Sequence, residues 1–109
     1  MTRLQAIQVI GNIIQEVDTA SGSLPLNDPN QERLEELRTQ LDDCQRKLSE
    51  AVFDDNTQTF QDAANQLNTV NQQIRGTIKQ VENIQTTLGN IERFLNAATS
   101  LVTLVGGLV

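Results

Sequence analysis

The 109-residue chain has no histidine, tryptophan or tyrosine, one cysteine and three phenylalanines. Each scarcity removes a class of chemistry. Without an imidazole, Cys44 has no base to make it a catalytic thiolate, and zinc sites of the Cys/His type cannot be built. A lone cysteine cannot close an internal disulfide, which fits a reducing compartment. With Phe53, Phe60 and Phe94 as the only rings, a core must be assembled from Leu, Ile, Val and Ala, as in helical bundles rather than sandwiches. No Lys/Arg cluster stands ready to neutralise phosphates, so nucleic acid is not an expected partner and attraction to anionic lipid headgroups is weak. Gly-rich phosphate loops, EF-hand spacing and a GxSxG elbow are missing as well. The expectation is a non-enzymatic chain with no cofactor, no metal and no small-molecule substrate. The opening apolar residues are interrupted by Gln5, Gln8 and Asn12, unlike the unbroken apolar region of a secretory signal, so a cytoplasmic location is expected.

What the chain does have is an uneven charge. Its formal net charge is -6; residues 1–56 hold eleven acids and five bases, and residues 57–109 hold three of each. The first half is therefore acidic and the second neutral. The acidic pairs Asp42-Asp43 and Asp54-Asp55 need no catalytic reading: the first pair has Arg46 and Lys47 one turn on, and the second sits where negative charge suits a helix start.

Thr2-x-x-Gln5, Asp28-x-x-Gln31 and Asp55-x-x-Gln58 repeat a capping-box signature, each ahead of a helical apolar pattern. Pro29, directly after Asp28, suits the first helical position. The first helix is predicted over about residues 3–18, with Ile7, Ile10, Ile14 and Val17 forming its apolar stripe. A connection over residues 19–27 contains Gly22 and Pro25. The second helix, about 29–53, sets Leu34, Leu37, Leu41, Cys44, Leu48 and Ala51 at heptad spacing.

In the third segment, assigning Phe60 to heptad position a generates a register that holds to the end. Position a then reads Phe60, Leu67, Ile74, Val81, Leu88, Leu95, Val102 and Val109; position d reads Ala63, Val70, Thr77, Ile84, Ile91, Ala98 and Val105. Only Thr77 breaks the apolar rule, which predicts one long coiled-coil helix. An interior glycine costs a helix about 1 kcal/mol relative to alanine, so Gly76 and Gly89 are tolerable, although Gly89-Asn90 also reads as a stop followed by a new cap, giving four helices. An unbroken third helix would span on the order of 75 Å against on the order of 39 Å for the second. Its far end would then lack an intramolecular partner and would meet another copy, another helical protein or lipid.

Two further features bear on partners. Residues 56–96 include fourteen Asn and Gln; uncharged amides let copies pack without like-charge repulsion, or simply give a solvated surface. The closing stretch FLNAATSLVTLVGGLV has no charged side chain but falls short of the roughly twenty residues that cross a hydrocarbon core. Its small and hydroxyl-bearing residues would also suit the lining of an oligomeric pore.

The reading is an all-α single domain over residues 1–109, an antiparallel bundle or coiled coil of three helices with a long C-terminal helix. Residues 1–55 form an acidic hairpin, 56–93 an amide-rich coiled-coil helix and 94–109 an apolar end. The expected function is self-association through Leu67, Val70, Ile74, Val81, Ile84, Leu88, Ile91, Leu95, Ala98, Val102, Val105 and Val109, giving a homo-oligomer or a complex with another helical protein. The alternative is a membrane-acting protein that sets Phe94, Leu95, Leu101, Val102, Leu104, Val105 and Leu108 against a bilayer.

Overall fold

The computed structural model describes residues 1–78 and 81–108, with the side chains of Val81, Gly107 and Leu108 left aside. Helix α1 (Arg3–Ser23) starts from the full capping box: the Thr2 hydroxyl accepts from the Gln5 amide at 3.1 Å, and Gln5 Oε1 accepts from the Thr2 amide at 2.8 Å. Helix α2 (Pro29–Glu50) starts from Asp28, whose Oδ1 accepts from the Asn30 amide at 2.8 Å. Gln31 does not return to its cap; it donates to the Ser21 carbonyl at 3.0 Å and so ties the α1–α2 connection. Helix α3 (Gln58–Ile74) is capped by Thr57 rather than Asp55. Asp55 is taken instead by the Arg3 backbone amide at 2.8 Å.

The single long third helix does not form. After Ile74 the chain turns, makes a short 3-10 turn at Val81–Asn83 and resumes as helix α4 (Ile84–Leu108). Gly76 makes the stop, because its φ of +81° lies in the left-handed region that glycine enters without a Cβ penalty. Thr77 then donates its amide to the Ile74 carbonyl at 3.0 Å, closing the helix end. Asn83 Oδ1 accepts from the Thr86 amide at 3.3 Å and starts the next helix. Gly89 lies inside α4 and breaks nothing.

The described residues thus form four α-helices and no strand. The turn at Gly76 removes the overhang inferred from lengths, since α4 folds back along α3 and finds partners within the chain. Helices α1 and α2 are antiparallel, as are α3 and α4, and these two pairs make the most extensive contacts. The hairpins lie side by side so that α2 neighbours α4 and α1 neighbours α3, both running in the same direction. The α1–α3 alignment is constant: Met1 meets Gln61 and Glu16 meets Gly76, each an offset of 60 residues.

This arrangement forces the α2–α3 linker to cross beneath the bundle, and local contacts hold it there. Arg3 donates to the Ala51 carbonyl at 2.6 Å and lies 5.4 Å from the centre of the Phe53 ring, which in turn stands 5.1 Å from Phe60. Gln61 Nε2 donates to the carbonyls of Met1 and Asp55, both at 2.7 Å. Above this knot Ile10, Ile13, Leu34, Leu37, Leu41, Phe60, Leu67 and Phe94 are fully buried. Burying each such side chain contributes roughly 1.5–3 kcal/mol.

Candidate interaction surface

The heptad seam is apolar and mostly buried, but it is buried inside the chain. Leu67, Ile74, Leu88, Ile91, Leu95, Ala98 and Val105 belong to the core, while Val70, Ile84 and Val102 are half-buried against it. The Val81 side chain and Val109 lie outside the described residues. Helices α1, α2 and α3 supply partner surfaces for most of this seam, so the overhang expected from helix lengths is met inside the chain. The register is also shifted in detail. Phe94 and Leu101, which precede the a positions, are fully buried, whereas Leu88 and Leu95 keep 8 % exposure. Helix α4 therefore faces the core with positions d and g and sets a on the flank, as suits a helix touching two neighbours rather than one.

Most of the residues considered for a bilayer sit in or against the same core. Phe94, Leu95, Leu101 and Val105 are buried, Val102 and Leu104 are half-buried, and the Leu108 side chain lies outside the described residues. Among the described residues no helix is long and apolar enough to cross a membrane.

With the apolar seams largely internal, the large apolar side chains left exposed among the described residues are Leu4, Leu26 and Val52; the rest of the surface is mainly polar, and its two long sides differ. The outer face of α2 is densely ionic. Asp43 pairs with Arg46 and, at 3.0 Å, with Lys47; Arg46 also reaches Glu50 at 3.6 Å. Arg33 pairs with Glu36 at 3.1 Å and crosses to Glu92 of α4 at 2.8 Å, and Arg38 pairs with Asp18 of α1 at 2.7 Å. A cleft of about 420 Å³ between α2 and α4 includes Cys44, whose thiol lies 3.8 Å from Thr99 Oγ1. Burial pushes this thiol's pKa up, which lowers its thiolate fraction.

The α1–α3 side is different in kind. A groove of about 620 Å³ runs between the two helices, lined by Val9, Asn12, Gln15, Glu16 and Thr19 from α1 and by Asn68, Asn71, Arg75 and Gly76 from the α3 side. It carries one acid and one base, hence no net charge, on a chain whose total is -6. Glu16 is only 8 % exposed. Its Oε1 accepts from the Gly76 amide at 2.9 Å, which pins α3's end to α1. No ion pair joins Glu16 to any described residue, and Arg75 is exposed and likewise unpaired. The amides of Gln8, Asn12, Gln15, Asn68, Asn71 and Gln72 make no side-chain hydrogen bond with the described residues, in contrast to Gln31, Gln45 and Gln61, which each bridge two segments. Sequence reasoning found the amide-rich character of the third segment but not its partner helix. That pairing needs the 60-residue offset, which no local pattern contains.

Comparison with protein-family models, with curated proteins and with solved structures finds no match.

Proposed function

We propose that the chain is a non-enzymatic helical module that works by self-association in a cytoplasmic setting. The observation that carries this reading is the charge-neutral α1–α3 groove, with its unused amides, on a chain whose net charge is -6 and whose α2 side is acidic. Two acidic faces repel, so copies approach each other most readily where net charge is zero and hydrogen-bonding groups stand free. A non-enzymatic role is supported by Cys44, buried and without a base, and by the surface ion pairs that take up Glu36, Asp43 and Glu50 of α2. Insertion of residues 94–109 into a bilayer is less well supported, because Phe94 and Leu101 would first have to leave the core.

Sedimentation velocity over a wide concentration range tests the reading. The expected result is a mass above that of one chain at high concentration, with little change on adding salt, because few charges cross the contact. A single-chain mass at every concentration overturns it.

A further inference from the structure

We infer that the α1–α3 groove takes the same face of a second copy about a two-fold axis running along it, with Arg75 of each chain entering the groove of the other to meet Glu16. This rests on the reading of the chain as self-associating and gives it a surface and a geometry.

The argument begins with height. Because α1 and α3 run in the same direction and the contacts at both ends are 60 residues apart, residue i on α1 stands within about a turn of the level of residue i+60 on α3. A two-fold axis parallel to both helices exchanges α1 of one copy with α3 of the other while leaving every height unchanged. Amide then meets amide: Gln8 stands level with Asn68, and Asn12 with Gln72. Side-chain amides carry both donors and acceptors, so such pairs satisfy each other without a charge on either side. The same operation brings Arg75 to the level of Gln15 and Glu16 in the other copy.

The charges supply the specificity. Glu16 is nine-tenths buried, and among the described residues it accepts from the Gly76 N–H; a buried carboxylate is best served by a cation with directed donors. Arg75 borders the same groove and does not pair with it inside the chain. Across the axis the exchange is reciprocal, acid to base and base to acid, so the surface complements itself. An antiparallel axis gives no such level match, since it would reverse the order of heights.

The test uses the full chain. Sedimentation equilibrium of Arg75→Glu is expected to show association weakened at least about tenfold, the effect of replacing an attraction by a repulsion at a close charge pair. Its urea midpoint, read at a concentration where the parent is a single chain, should stay unchanged, because Arg75 has no partner among the described residues. Glu16→Gln, which keeps an oxygen for the Gly76 amide, is expected to weaken association too, and the double variant to weaken it by less than the product of the singles. Association indifferent to Arg75→Glu overturns this arrangement while leaving self-association standing; absence of association in the parent chain overturns both. The axis is tested separately in a Cys44→Ala background. Oxidising a mixture of Gln8→Cys and Asn68→Cys chains should link one of each, and a yield no higher than from either chain alone overturns the parallel two-fold.

Discussion

The bundle has two sides on which helices running the same way lie next to each other, and they are closed by different means. The α2–α4 side makes the more extensive contact, with the Arg33–Glu92 ion pair across one stretch and the Cys44–Thr99 contact across another, and its cleft beside Cys44 is the smaller of the two openings. The α1–α3 side is pinned at its ends, by Met1 with Gln61 below and by Glu16 with Gly76 above, and stands open between them. Side-chain size explains part of this. Helix α4 offers Phe94, Leu101 and Leu95 to the core and its flank, whereas the α3 face toward α1 offers Ala64, Asn68 and Asn71. Short polar side chains cannot fill the space between two helices, so a groove remains where larger apolar ones would have closed it.

The largest way to break this contrast is to empty the packed side. Phe94→Ala removes a fully buried ring and should lower the unfolding free energy by about 3–5 kcal/mol, read from urea denaturation followed by circular dichroism. A loss under about 1 kcal/mol, the range of an exposed position, would place Phe94 outside the core and reopen the case for an apolar end that works in lipid.

How far these sides could be read from the residues alone depends on the range of the interaction that makes them. Thr2 and Asp28 announce helix starts because the groups they satisfy are two or three residues away. Cys44 and the α2 leucines announce a buried face because a heptad is local. Asp55 misleads for the same reason: its competing partner is the Arg3 amide, 52 residues distant. The break in the third segment was also beyond local reading. Gly76 and Gly89 look alike in sequence, and the apolar register runs through both. Only at Gly76 does the neighbouring helix supply a carboxylate for the freed amide. The neutral groove was half legible, as an excess of amides, and half hidden, as a pairing between segments 60 residues apart.

The two glycines give the next contrast, of opposite signs. Gly76→Ala forces a Cβ into the left-handed region at φ +81° and should destabilise by about 1–2 kcal/mol. The damage should fall on the α1–α3 side, seen as faster amide exchange at Gly76's neighbours than in α2. Gly89→Ala meets no atom within 4 Å and lies in a helix, so it should stabilise by up to about 1 kcal/mol through helix propensity. If the substitution at 89 were the harmful one, the turn would be there and the α3–α4 pairing described above would be wrong.

The smallest effect is expected where the ion pairs are densest. Lys47 and then Arg46 hold the Asp43 carboxyl below its ordinary range through side-chain hydrogen bonds. A carboxyl lowered in the folded chain stabilises it above the unfolded pKa, and this contribution disappears as pH falls through the folded value. The pairs are nevertheless open to water, with 41 % of the Asp43 side chain and 58 % of Arg46 exposed, and exposed pairs are screened and restrain two long side chains for little return. Asp43→Asn should therefore leave the urea midpoint at neutral pH within error and only flatten its decline below the ordinary carboxylate range. A clear loss at neutral pH would mean that the charged side is closed by its ions rather than by the leucines beneath them, and the difference between the two sides would then be electrostatic in origin rather than one of packing.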